Sequence, residues 1–309
     1  MFAMNAMNDE AIDLRDLRYF AACCEEGQLT AAARRLKIGQ PTLSHALARL
    51  ERRVGETLLE RPANRRAGVR PTPAGKVLWE RARGVDAQIA GLRDDLAALH
   101  GLLRGDLHIG SIQSLNATLL PKPLARFAAG HPGVSLTLRT LASDEVPQAV
   151  REGRVELGFL AGAARARPEG VETQVLAREA FVALVRADDP LAARRTMPLR
   201  ALAEVPLVLV PPDTPTGSII QRACRQAGFA PKVVLSLESG EALRETVRAG
   251  LGCTILPEGY MPPSGSGLVA VQLTDPVPRR DVVVATRTGG RLSRAAEAFL
   301  QEVRAALRR

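Results

Sequence analysis

Residues 17–75 read LRYFAACCEEGQLTAAARRLKIGQPTLSHALARLERRVGETLLERPANRRAGVRPTPAG, and the spacing of apolar and turn-forming residues in this stretch decides the N-terminal fold. Leu14, Leu17, Phe20 and Ala21 recur at helical spacing and predict a first helix that ends near Gly27. Thr30 suits the N-cap of a short second helix through Ala31, Ala32, Ala33 and Leu36. Gly39 and Pro41 mark a tight break before a third helix, because proline is tolerated in a first turn. Leu43, Leu47, Leu50 and Val54 give that helix one apolar stripe, while Gln40, Thr42, Ser44, His45, Arg49 and Arg52 lie on its other face. Two helices joined by a short turn, the second polar and basic outside, form a helix-turn-helix. Gln, Thr and Ser can hydrogen-bond base edges, and Arg can reach guanine or a phosphate. The pattern therefore predicts that Gln40, Pro41, Thr42, Ser44, His45 and Arg49 face a major groove. An amphipathic helix on an ordinary bundle is the competing reading. Residues 58–73 hold Arg61, Arg65, Arg66 and Arg70 among Pro62, Asn64, Gly68 and Pro71, which predicts a two-stranded wing lying along the phosphate backbone. With Thr30, these groove-facing residues and Arg65, Arg66 and Arg70 form the candidate DNA-binding set.

The charge agrees with this reading. The 309-residue chain carries a net charge of +9. Between Arg34 and Arg83 there are thirteen Lys and Arg against four Asp and Glu, so this one segment holds the whole excess. A confined basic segment in an otherwise neutral protein is an electrostatic footprint for a polyanion, usually nucleic acid. A solvated basic face is the bland alternative.

The same stretch resembles the LysR-type transcriptional regulators. It has an AA-x-x-L helix, a Q-P-x-L-S recognition start, an L-E-x-x-x-G exit and a T-x-A-G close. It departs from the family pattern at Gln28-Leu29, where Ser-Phe is usual, at His45, where Arg is common, and at Leu59, where Phe is usual. A mostly neutral His45 cannot imitate an Arg fork on guanine, so sequence preference should differ there.

From Pro73 a long helix is predicted. Leu78, Ala82, Val85, Ile89, Leu92, Leu96, Leu99 and Leu103 alternate four and three apart, a heptad seam suited to pairing with a second helix. The resemblance implies the same: the family dimerises through a linker helix, and often forms tetramers. Gly101 and Gly105 end the segment.

Beyond residue 105, apolar runs alternate with helical patterns. Strands are predicted at 107–110, 134–139, 155–160, 181–185, 207–210, 233–237, 253–256 and 282–286. Helices are predicted at 119–129, 144–152, 217–227, 241–249 and 293–307. This alternation argues an α/β fold with mainly parallel sheets. The resulting organisation is a winged helix-turn-helix over 1–72, a linker helix over 73–105 and an effector domain over 106–309. Lobe I takes about 106–165 with 282–309, and lobe II about 166–281. The motifs H-P-G-V, E-G-R-V-E-L-G-F and R-A-G-L-G-C-T-I-L-P continue the resemblance, which implies a two-lobed module similar to periplasmic binding proteins.

Several function classes are disfavoured. At 46% hydrophobic residues the chain can bury a core, and at 3% aromatic that core must be aliphatic. No run approaches the roughly 20 apolar residues of a membrane helix. Residues 1–16 carry Asp9, Glu10 and Asp13 without a basic start and apolar stretch, so a cytoplasmic protein is expected. Cys23, Cys24, Cys224 and Cys253 lack metal or disulfide spacing, and the four histidines form no ligand set. The 265–270 stretch formally fits G-x-G-x-x-A but follows Met261-Pro262-Pro263 rather than a strand, and reads as a loop. No cofactor and no catalytic set is indicated, although an enzyme on the doubly wound domain stays open as the alternative, because spatially assembled sites leave no linear trace. A solute-binding protein would need an export signal.

Open α/β sheets bind ligands at the carboxyl ends of strands. Here those ends lead into 111–118, 141–143, 211–216 and 238–240. Each offers hydroxyls before a helix, which suits an anion such as a carboxylate, although simple capping explains each serine equally well. By resemblance Ser114, Ser143 and the loop with Pro211, Pro212 and Thr214 match effector-contacting positions, with Asn116 and Ser239 in the same cleft. Asp213 leaves the sign of the ligand charge open. The combined expectation is a regulator that binds double-stranded DNA as a homodimer or homotetramer and senses a small molecule, with no membrane partner.

Overall fold

The structure, a computed structural model, describes residues 12–60, 68–98, 103–162 and 168–308. Contacts divide the chain between Leu92 and Arg93 into two units. In the first, α1 (Leu14–Glu26), α2 (Leu29–Arg35) and α3 (Gln40–Val54) form where the apolar spacing predicts. Phe20, Leu43, Leu47 and Leu50 are sealed from solvent and pack with Leu17, Cys23, Leu58 and Leu59. One expectation is corrected at α2: Gln28 is the N-cap, without a side-chain bond, and Thr30 lies exposed inside the first turn. Leu29 packs on the core, so tertiary contact rather than a hydroxyl fixes this start.

The wing strands β1 (Leu59–Glu60) and β2 (Arg70–Pro71) pair antiparallel, with Glu60 opposite Arg70. Glu51 Oε1 accepts from the N–H groups of Leu58 at 2.9 Å and Leu59 at 3.2 Å, which gives the L-E-x-x-x-G motif its purpose: it ties α3 to the wing. Thr72 Oγ1 donates to the Thr57 carbonyl at 2.7 Å and accepts from Gly75 N–H at 3.0 Å, opening α4 (Pro73–Ala98). A Cβ at Gly75 would lie 2.1 Å from the Leu58 carbonyl oxygen, so this close approach requires glycine. Arg65 and Arg66 lie outside the described residues.

The heptad pattern is put to more than one use. Leu78 and Ala82 pack into the first unit's own core, and Leu103 packs on a core of the second unit. Leu99 and the side chains of Leu92 and Leu96 fall outside the described set. Apolar spacing does not tell an intrachain partner from an external one, so the two ends of the pattern serve cores of this chain.

The second unit runs β3 (Gly105–Ser111), α5 (Gln113–Thr118), α6 (Pro121–Gly130), β4 (Val134–Thr140), α7 (Glu145–Arg151), β5 (Leu157–Gly162), β6 (Val171–Arg186), β7 (Thr196–Pro198), β8 (Leu207–Leu209), α8 (Pro215–Gln226), β9 (Val233–Ser236), α9 (Gly240–Arg248), β10 (Thr254–Pro257), β11 (Leu268–Thr274), β12 (Arg279–Arg287) and α10 (Arg294–Leu307). β3 pairs in parallel with β4 and β5, and β8 with β9. The sheets are nevertheless mixed rather than mainly parallel. The chain leaves the first lobe along β6 and returns along β12, so these two neighbours must run in opposite directions.

β6 also moves the expected lobe boundary at 165. Its residues up to Ala180 pair with β12, while from Phe181 it pairs with β10 and β11. Leu176 and Ala177 join the first lobe's core with Leu107, Ile109, Phe159 and Phe299, whereas Phe181 to Val185 join the second with Leu207, Ile220 and Ile255. The boundary falls inside one strand, which a composition break cannot mark. The helix expected over 119–129 forms as α6, opened by Pro121, and the stretch before it, read as a loop, contains the short helix α5. β7, β11 and the first half of β6 were not expected, and residues 268–270, taken as loop, are strand. Among the described residues no helix is long and apolar enough to cross a membrane.

Candidate functional site

On α3 the core stripe turns the polar face outward. Gln40, Pro41, Thr42 and His45 are exposed, and Ser44 and Arg49 are half-buried. Arg70 is exposed on β2. Arg49 is not a free groove reader: its Nε donates to Asp16 Oδ2 at 2.9 Å and its Nη2 to Asp16 Oδ1 at 2.5 Å. Asp16, in the first turn of α1, is fully buried, and Arg53 Nη1 stands 3.6 Å from its Oδ2. Hydrogen bonding to Asp16 raises the Arg49 pKa further above its ordinary value. The sequence reading missed Asp16, because a lone acid in a first turn reads as a helix-dipole residue.

In the second unit, Ser114 on α5 meets residues that sequence reasoning did not single out. Its Oγ accepts from Arg280 Nη1 at 3.1 Å. Arg280, near the start of β12, is only 2% exposed and donates its Nε to Glu179 Oε2 at 2.8 Å. Glu179 Oε1 in turn accepts from Gly259 N–H at 2.8 Å. A polar chain, Ser114–Arg280–Glu179–Gly259, thus runs from the first lobe through both crossing strands to the second. A Cβ at Gly259 would lie 2.8 Å from Glu179 Oε1 and 2.9 Å from Thr118 Cβ, so the lobes meet closely here. Arg280 Nη2 is buried without a hydrogen-bond partner among the described residues, as is Asn116 Oδ1, whose amide nitrogen donates to Thr140 Oγ1 at 3.0 Å. Buried polar groups are nearly always paired, so Nη2 is a donor for which the described residues supply no acceptor. The neighbouring Tyr260 phenol is pushed up to about 12, first by burial and then by the Glu241 carboxylate. The one available signal was the Arg279-Arg280 pair opening a valine-rich strand.

The remaining predicted effector residues are placed differently. Thr214 Oγ1 donates to the Pro211 carbonyl at 2.7 Å and accepts from Gly217 N–H at 3.0 Å, capping α8. Ser239 Oγ accepts from Ala242 N–H at 3.3 Å and donates to Glu241, capping α9. Ser143 is half-buried just before α7, and Pro211 and Pro212 form the turn before α8. A groove of about 520 Å³ between β6, β12 and α10 lies apart from this cluster and is broadly open, with both signs of charge on its walls.

A winged helix-turn-helix followed by a two-lobed α/β domain with a polar cluster at the lobe crossing defines a DNA-binding regulator with an effector-binding module. The chain belongs to the LysR family of transcriptional regulators: residues 14–76 match the bacterial regulatory helix-turn-helix protein, lysR family, and residues 100–308 match the LysR substrate binding domain. It is 36% identical over 258 residues to YnfL, an uncharacterized HTH-type transcriptional regulator of Escherichia coli, covering 81% of this chain and 83% of the relative. It is 32% identical over 302 residues to a probable hydrogen peroxide-inducible genes activator of Streptomyces viridosporus, covering 96% and 93%. Among solved structures, a full-length OxyR variant from Pseudomonas aeruginosa superposes with a TM-score of 0.75 at 26% identity, covering 95% of this chain and 98% of that one. The two curated relatives are named as a transcriptional regulator and a gene activator, which favours the regulator reading over the enzyme alternative.

Proposed function

We propose that this regulator works in the cytoplasm as a homodimer or homotetramer, reads the major groove with α3, and responds to a small carboxylate or related oxyanion at the lobe crossing. Arg280 carries this reading. A guanidinium stays charged at any working pH and matches a carboxylate with paired donors. Here it is buried, bonded to Ser114, and has Nη2 left over. An anion on Nη2 would join the chain that links the lobes, and so favour one lobe arrangement over another. The effector set then comprises Ser114, Asn116, Arg280 and Glu179, with Ser143, Pro211, Pro212, Thr214 and Ser239 around it.

The peroxide-inducible relatives raise a second reading, oxidation of a thiol. Thiolates, not thiols, react with oxidants. Burial pushes Cys224 up to about 11 and Cys253 higher still, which favours the ligand reading over the oxidant one.

Thermal melts of the full chain with acetate, succinate, benzoate and sulfate test the anion site. At least one carboxylate should raise the melting temperature. Ser114→Ala and Arg280→Gln should abolish that rise while DNA binding persists. Equal protection of wild type and both variants would place the anion elsewhere.

A further inference from the structure

We infer that Asp16, on α1, is a positioning residue for DNA selectivity that acts through Arg49 of α3. The inference rests on α3 being the DNA-reading helix. Asp16 is fully buried, and a buried carboxylate without partners is strongly disfavoured. Both of its oxygens are taken by Arg49, through Nε at 2.9 Å and Nη2 at 2.5 Å, with Arg53 at 3.6 Å. Arg49 and Arg53 stand one turn apart on α3, so a single α1 carboxylate sets the flank of that helix.

The bond pattern decides what Arg49 offers. Its side edge is closed onto Asp16. Its end edge, Nη1 with the second hydrogen of Nη2, is the part that can meet another group, and the side chain keeps 43% exposure. Arg49 lies beside the exposed His45 and Arg52, one turn away on either side. A free arginine at this place would swing between phosphates and base edges. The fork removes that freedom, so the ordering of a long side chain precedes DNA binding. The carboxylate also places a negative charge beneath a surface that must neutralise phosphates. It therefore lowers attraction to DNA of any sequence while it favours the one geometry that Arg49 is held to meet.

Full-length wild type, Asp16→Asn, Arg49→Ala and the double variant would be titrated against two duplexes. One is the duplex that the wild type selects from a randomised library, and the other is a scrambled duplex of the same composition. Asp16→Asn should tighten binding to the scrambled duplex and lower the ratio of selected to scrambled affinity by about fivefold, the scale of one unfixed side chain. The scrambled-duplex salt slope should steepen by up to about 1 as the freed arginine finds a phosphate. In the Arg49→Ala background, Asp16→Asn should leave the ratio unchanged. If Asp16→Asn lowers the ratio equally in both backgrounds, or leaves it unchanged in the wild type, the inference is overturned. Should Asp16→Asn fail to fold by circular dichroism, Arg49→Lys replaces it, since lysine keeps the charge but cannot fork. It should lower the ratio with scrambled affinity held, and an intact ratio would overturn the inference.

Discussion

In the first unit the Asp16 carboxylate is buried and the Arg49 side chain keeps 43% exposure; in the second, the Arg280 side chain is buried to 1% and Glu179 keeps 12%. The two pairs use the same chemistry in opposite order. Where the acid is the buried member, the cation is what the surface presents, and the surface in question is the one that DNA approaches. Where the cation is the buried member, its charge is withheld from solvent and is open only to a group that arrives with its own negative charge. The second pair also extends further, since Arg280 reaches Ser114 and Glu179 reaches Gly259. One arrangement fixes a contact and the other links two lobes.

This contrast can be broken most sharply by removing the cations. Arg280→Ala leaves Glu179 without its guanidinium, and removing one member of a buried pair costs about 3–5 kcal/mol. Urea unfolding of the full chain should show that loss in the transition of the effector domain. Arg49→Ala should lose less, because Arg53 remains beside Asp16 and Arg49 is half in solvent. Equal losses for the two variants would mean that burial order does not matter here. A smaller effect is expected at Gly259→Ala. Its methyl group would press on Glu179 Oε1 and Thr118 Cβ, and overpacking of this kind costs about 1–3 kcal/mol. Melting temperature and ligand response should fall together if the polar chain couples the lobes. A fall in stability with an unaltered response would confine Gly259 to packing.

The same contrast explains what was readable from sequence. The helix-turn-helix was legible because its determinants are local: Leu43, Leu47 and Leu50 recur on one face, and Pro41 and Gly55 bracket α3. Glu51 was legible as part of a motif, although its role, accepting from Leu58 and Leu59, needed the wing. Arg49 was seen without the partner that fixes it, since Asp16 lies 33 positions away. Glu179 and Arg280 were not seen at all, being 101 positions apart and meeting only because β6 and β12 pair. Thr214 and Ser239 were picked as effector contacts at strand ends, with capping as the competing reading, and both cap helices. Alternation revealed many of the lobes' strands but not β7, β11 or the crossing, because β6 serves both cores without a change in composition.

The thiols give the smallest expected effect on stability and the sharpest comparison between the units. Cys224 on α8 is fully buried, and burial raises its pKa to about 11, whereas Cys24 on α1 is only partly buried. An unfolded thiol ionises near about 8.5. The fold therefore favours the neutral form of Cys224. That contribution to stability is fully present below about pH 8.5 and is lost as pH rises through 11, so stability does not vary with this thiol around neutral pH. Reactivity follows the same direction: burial holds Cys224 as the unreactive thiol at neutral pH. Mass spectrometry of the native protein treated with hydrogen peroxide should find Cys24 modified before Cys224, and unfolding in urea should remove the difference. Sulfenic acid forming at Cys224 in the native protein as fast as on a free thiol at neutral pH would mean that α8 opens readily. The burial that favours a ligand over an oxidant in the effector domain would then no longer hold.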